Sequence, residues 1–317
     1  VPARDDDDEA HDEATRAGWA AAFTARAVAH WTPARTAALA GGKRLRIPPA
    51  DAPLLLRALG LLHRDGGMPP DRVRKYFQVA HMLGLLEAPL RALHARLGRP
   101  VQVLDAGCGR SYITMVLAWA GAQAGGVPVQ VLGVDRRPDV IAASARRCVA
   151  AGLDGLARWI VAEVDAPQLA AEVVDAVIAL HACDRASCDA IALGCARGAA
   201  LIAVAPCCQA ELARGWAALD QLGATGALRP VWTAPHLRRE LGAHVTDAMR
   251  LVLLRARGYH ARAIELVPDA HTRKNTLLIA EPQSDIDAAS NQVAWREHDA
   301  LVAATGGVEL QLAARLR

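Results

Sequence analysis

Val103-Leu104-Asp105-Ala106-Gly107-Cys108-Gly109 is an aliphatic run that ends on an acid and opens at once into two glycines one residue apart. The pattern reads as a buried strand passing through a tight loop into a helix. Gly107 and Gly109 let the backbone take positive φ and approach a ligand closely, with Cys108 between them. Asp105, at the strand end, is placed to accept hydrogen bonds from an ammonium group. The loop is not a full dinucleotide fingerprint, because the position of the third glycine holds the bulky Tyr112.

Downstream of this stretch, short β-branched runs alternate with alanine-rich helical windows. The runs are 101–104, 129–134, 159–164, 173–180, 200–205, 261–267 and 276–280. Seven strands alternating with helices predict a Rossmann-like α/β sheet, mostly parallel. The last two runs are joined by residues 268–275, too few for a crossover helix, so that pair should form an antiparallel hairpin at one edge, ending the sheet in a reversed strand.

Upstream the period is helical. Residues 15–98 carry apolar positions three or four apart, as in Trp19, Ala22, Phe23 and Ala27, punctuated by Pro48-Pro49, Gly66-Gly67 and Pro69-Pro70. The expected organisation is an acidic disordered tail over 1–14, a basic helical region over 15–98, the sheet domain over 99–283 and a helical extension over 284–317. In that extension the helix from Arg296 is expected to pack back on the sheet.

Composition narrows the class. The chain has 317 residues, 53% hydrophobic and 22% charged, which excludes bulk disorder, collagen-like and coiled-coil classes. Seven cysteines without a secreted spacing fit reduced thiols, and the acidic start lacks the basic-then-apolar pattern of an export signal, so a cytoplasmic location is expected. The uncharged stretch near 111–134 is broken by Gly125-Gly126 and Pro128, and no membrane partner is expected. Charge is uneven: residues 14–100 hold fourteen Arg or Lys against four Asp or Glu, a net +10. A basic segment beside a neutral one is the footprint of a phosphate-docking surface, or of a helical surface kept soluble by arginine.

Two further acids follow the logic of Asp105. Asp135 closes Val131-Leu132-Gly133-Val134-Asp135 at the second strand's tip, where an acid accepts ribose hydroxyls, and Arg136 follows it. Glu163 ends the third strand and could accept from an adenine amino group. Together the three favour S-adenosyl-L-methionine over a dinucleotide.

A family resemblance rests on Lys75-Tyr76-Phe77-Gln78, the loop from Asp105 to Gly109, His181-Ala182-Cys183-Asp184, Pro206-Cys207-Cys208-Gln209 and Lys274-Asn275. As a set these resemble class I S-adenosylmethionine-dependent methyltransferases. The branch they resemble contains the eukaryotic tRNA acceptor-stem 2′-O-methyltransferases and the glutathione-transferase-like proteins with a C-terminal methyltransferase domain. The resemblance spans about residues 70–315 and implies a methyltransferase acting on structured RNA, tRNA or rRNA. Where those enzymes carry glycine this chain has Asp184, and their following Ala-Thr-Asp reads Ala186-Ser187-Cys188 here. A small molecule or peptide of specialised metabolism is the alternative acceptor, and a binding module without catalysis is the non-enzymatic one.

The ends of strands four and five should bracket the methyl donor. His181 with Asp184 could act as general base. Cys207 could attack a pyrimidine ring with Cys183 assisting, and His181, Cys183, Cys207 and Cys208 could hold zinc. The cysteines could also simply fill a tight turn. Base chemistry is favoured, with no metal expected. Lys75 and Gln78 share a helix face, and with Gln209, Lys274 and Asn275, joined weakly by His271, they are the expected acceptor contacts.

Overall fold

The computed structural model describes residues 13–180, 185–206, 210–266, 276–283 and 288–317. The N-terminal segment forms α1 (Glu13–His30), α2 (Pro33–Ala40), α3 (Pro53–Ala58) and the long α4 (Pro70–Leu97). The last three begin on proline, whose fixed φ suits a first helical turn and whose missing N–H is not needed there. Helix α4 stops where Gly98 takes φ +64°, a left-handed cap. Along it Tyr76, Val79, Leu83, Leu86, Leu90 and Leu93 recur at three or four residues and are buried. At roughly 1.5–3 kcal/mol for each large side chain removed from water, that stripe fixes which face of α4 turns inward. The Tyr76 hydroxyl donates to the Ile47 carbonyl at 2.9 Å, so even the polar end of this buried ring is paired.

Strands and helices then alternate as the sequence predicts. In order they are β1 (Val101–Ala106), α5 (Tyr112–Ala122), β2 (Val129–Asp135), α6 (Pro138–Ala150), β3 (Ala157–Val161), β4 (Ala176–Ala179), α7 (Arg185–Ala196) and β5 (Leu201–Val204). They continue with α8 (Glu211–Gln221), α9 (Arg229–Trp232), α10 (Pro235–Ala256), β6 (Tyr259–Glu265), β7 (Thr276–Pro282), α11 (Ala288–Ala304) and α12 (Gln311–Leu316). The sheet order is β3-β2-β1-β4-β5-β7-β6. Every described pairing is parallel except those of β7, which runs antiparallel to both β5 and β6. This is the expected seven-stranded Rossmann-like sheet with its last strand reversed. The order turns back between β1 and β4, and the crevice beyond the carboxyl ends of these strands is where such a sheet binds ligands.

Alternation along each strand splits the core in two. Val103, Val131, Ile178, Ala203, Leu277 and Ile279 face a cluster shared with Phe23, Leu56, Leu86 and Leu90, so the N-terminal helices and one sheet face bury a common core. Leu104, Leu132, Val177, Ile202 and Ala280 face the other cluster, with Trp216, Leu253 and Leu312.

Four boundaries differ from the sequence reading. Helix α1 already includes Glu13 and Ala14, and residues 1–12 of the expected tail lie outside the described residues. Strand β3 ends at Val161, paired with Asp135, the last residue of its only neighbour β2, so Glu163 lies two residues beyond the strand. Strand β4 begins only at Ala176; just before it the Asp175 carboxylate accepts from the Gln102 amide at 2.8 Å and from the Arg99 guanidinium. Helix α11 begins at Ala288 and packs on α10 rather than on the sheet, because α10 already covers that face; Ala294 meets Val252 and Ala256. The C-terminus is tied down where Arg317 bridges Asp299 at 3.0 Å and Glu309 at 2.7 Å beside buried His298. Among the described residues no helix is long and apolar enough to cross a membrane.

Candidate active site

The loop after β1 is built as the glycine pair demands. Gly107 has φ +69° and Gly109 φ +52°. Ser111, the one non-glycine among the described residues with positive φ (56°), is fully buried, and its hydroxyl accepts from the Trp159 indole at 3.0 Å. Strain of this kind persists only where the surroundings fix it. Here they do: the Cys108 amide donates to the Val134 carbonyl at 2.9 Å and the Gly109 amide to Asp135 Oδ2 at 3.1 Å. Gly133 on β2 is needed for the same closeness, since a Cβ there would lie 2.8 Å from the Trp159 ring and 3.1 Å from Cys108 Sγ.

Two acids at adjacent strand ends have opposite electrostatics. Asp105 is 2% exposed, and burial pushes its carboxyl up to about 7, although the Thr114 hydroxyl donates to it at 2.5 Å; the Asp135 charge adds to the rise. Asp135 is also pushed up by burial, but more strongly held down by Arg137, whose guanidinium and amide donate to it at 3.0–3.3 Å, and by the Gly109 amide. The net effect leaves it below the usual carboxylate range. The Cys108 thiol is pushed well above its ordinary range by burial, so it stays a neutral filler of the loop.

These groups open into one cavity of about 1450 Å³. Its wall takes in strand-end residues Asp105, Asp135, Ala162, Leu180 and Ala205, the loop residues Gly107, Cys108 and Gly109, and Lys75 and Gln78 from α4. Arg136 and Glu163 also line it, both exposed and 3.9 Å apart. Lys75 Nζ donates to the Tyr112 hydroxyl at 2.6 Å and lies 3.8 Å from that ring's centroid. Nine sequence-predicted residues are thus brought to one cavity: Asp105, Gly107, Cys108, Gly109, Asp135, Arg136, Glu163, Lys75 and Gln78.

His181, Cys183, Asp184, Cys207, Cys208, Gln209, His271, Lys274 and Asn275 lie outside the described residues. The described residues flanking those segments, Leu180, Arg185, Pro206, Leu266 and Thr276, all line the same cavity. Behind α7, Arg250 is 1% exposed and donates to Asp247 at 3.0 Å and to Cys188 Sγ at 3.2 Å. Sequence reasoning missed Arg137, Thr114 and the roles of Tyr112 and Arg250. A cation two residues after a strand-end acid was the available signal for the first.

The donor set fits an adenosyl amino acid. Asp105 suits an ammonium, Asp135 a ribose diol and Glu163 an amino group, whereas two carboxylates flanking the glycine loop would oppose a pyrophosphate. Residues 74–215 match a protein family described as a methyltransferase domain. No curated protein matches the sequence. Similar solved structures include an rRNA methylase from Streptococcus thermophilus, 13% identical with TM-score 0.38, covering 63% of this chain and 95% of that one. A methyltransferase from Podospora anserina bound to S-adenosylhomocysteine is 14% identical with TM-score 0.41, covering 78% and 93%. A TehB-like S-adenosylmethionine-dependent methyltransferase from Corynebacterium glutamicum is 18% identical with TM-score 0.33, covering 68% and 100%. The sheet order, the loop and the family match therefore agree on one activity: the chain is a methyltransferase whose cofactor is S-adenosyl-L-methionine.

Proposed function

We propose that the acceptor is structured RNA, and that the helical region over 15–98 and the sheet domain over 99–283 bind it jointly. The observation that carries this reading is positive charge on the cavity wall. Arg74, Arg110 and Arg185 are exposed on its wall, and among the described residues no acid pairs with them. Helix α4 continues that wall into the segment with net charge +10. S-adenosylmethionine supplies an electrophilic methyl group. What remains for the chain is to align the acceptor and remove a proton, a task we give to His181 with Asp184, next to Leu180 at the end of β4. Buried, free Cys108, Cys148, Cys188 and Cys195 accord with work in a reducing, cytoplasmic setting.

The test is transfer of labelled methyl into RNA, protein and small-molecule fractions of an extract, followed by binding of the labelled RNA at several salt concentrations. Each phosphate contact contributes about 0.7–0.9 to the log–log salt slope, so replacing Arg74, Arg110 and Arg185 by Gln together should lower it by about 2–3. Label confined to the small-molecule fraction overturns the reading. A second reading, a small-molecule acceptor, is favoured by the cavity's size: about 1450 Å³ exceeds the usual range for one ligand, and Val79, Met82 and Leu266 offer apolar wall.

A further inference from the structure

We infer that Lys75, with the first turn of α5, holds the carboxylate of the cofactor, which makes α4 part of the cofactor site rather than of the acceptor site alone. The inference rests on the cavity being the cofactor's.

Among the described residues of the cavity wall, Lys75 is the half-buried cation. Arg74, Arg110, Arg136, Arg137 and Arg185 line the same cavity but are exposed, and Arg137 is committed to Asp135. Taking an ammonium partly out of water is unfavourable unless an anion meets it. Among the described residues Lys75 meets only the neutral Tyr112 hydroxyl and ring. The place therefore suits the carboxylate of a ligand.

Helix α5 points to the same anion. Tyr112 is its first residue, the first turn has no acid, and Ser111 makes no side-chain cap because its hydroxyl faces Trp159. The Thr114 amide already donates to Asp105, and the amides of Tyr112 and Ile113 before it favour a further negative charge. The same turn ties both charged partners together. Tyr112 receives Lys75, and Thr114, two residues on, donates to Asp105. An amino acid carries its carboxylate and ammonium on one carbon, so it needs a cation and an anion side by side, and this turn supplies both.

The test is calorimetric titration of the full chain and its Lys75→Met and Lys75→Arg variants with three probes. These are S-adenosylhomocysteine, decarboxylated S-adenosylmethionine, which keeps the ammonium, and 5′-methylthioadenosine, which lacks the amino acid. Charge-assisted hydrogen bonds predict that Lys75→Met weakens S-adenosylhomocysteine about 10- to 100-fold and changes the other two less than about twofold. Lys75→Arg should recover most of the loss. Equal weakening of all three probes would show a merely structural lysine and overturn the assignment, as would undiminished binding of S-adenosylhomocysteine. Failure of the unaltered chain to bind any probe would instead overturn the cofactor reading beneath it.

Discussion

Replacing Asp105 by Asn should stabilise the ligand-free protein above neutral pH while weakening its hold on the cofactor. The Asp105 carboxyl rises from 3.8 to about 7 because it is buried. Below about pH 4 the folded and unfolded chains both carry its proton, and the pair of proteins should differ little. Between pH 4 and 7 the unfolded chain has lost the proton while the folded one keeps it, so the acid's contribution falls as pH rises. Above 7 both are ionised and the cost levels off. Three units at about 1.4 kcal/mol each set that cost near 4 kcal/mol. Asn keeps an oxygen for the Thr114 hydroxyl, so the substitution removes the titration with little else. Urea denaturation of both proteins from pH 4 to 8.5 measures the difference directly, and the comparison cancels the opposite trend of Asp175, while that of Asp135, whose charge acts on Asp105, is part of the difference. With cofactor the pattern inverts. An ammonium at Asp105 requires the ionised acid, so affinity should rise up to about tenfold per pH unit below 7 and flatten above it, and the Asn variant should bind weakly with no such slope. A stability difference that is constant across this range, or that shrinks toward high pH, would refute the reasoning.

Gly107→Val forces a β-branched residue to φ +69°; it should cost about 1–2 kcal/mol of stability and abolish the thermal shift given by S-adenosylhomocysteine, and a retained shift would contradict the loop's role. Arg137→Ala frees two acceptor positions on Asp135, so nucleoside affinity by calorimetry should rise about 3- to 10-fold, a weaker affinity meaning that Arg137 itself touches the ligand. Asp247→Ala removes the carboxylate that faces the buried Arg250 guanidinium and should cost about 3–5 kcal/mol in urea, with Asp247→Asn losing less; a loss below 1 kcal/mol would show the pair to be idle.

The number and sense of the strands, and the loop, are legible because their signals are local. A strand-end acid followed by two spaced glycines, and a strand-to-strand link of eight residues, each restrict the backbone within a few positions. Glu163 reads as part of β3 because Trp159, Ile160, Val161 and Val164 around it are β-prone, but the strand's length is set by its only neighbour, which stops at Asp135. Val173 and Val174 read as strand for the same reason, but β4 begins only at Ala176, after Asp175, whose side chain pairs with Arg99, 76 residues earlier. The contact of Lys75 with Tyr112 joins residues 37 apart on helices of different periodic segments, and no pattern in either segment encodes it. Arg250 was invisible because a buried arginine looks, in sequence, like any cation on an amphipathic helix; its partners Asp247 and Cys188 come from the fold.

Strand β7 lies between β5 and β6 although it is made after both. Until residues 276–282 leave the ribosome, the inner edge of β5 has no partner on that side, and β6 has no strand to lie beside. The sheet therefore closes from its middle at the end of synthesis, and its slowest contacts span from Ile202 to Ala280. A chain cut before Thr276 would expose the bare edge of Leu201–Val204, a fully apolar run, to any passing strand. Premature termination in this protein should yield aggregates rather than a shortened, working enzyme.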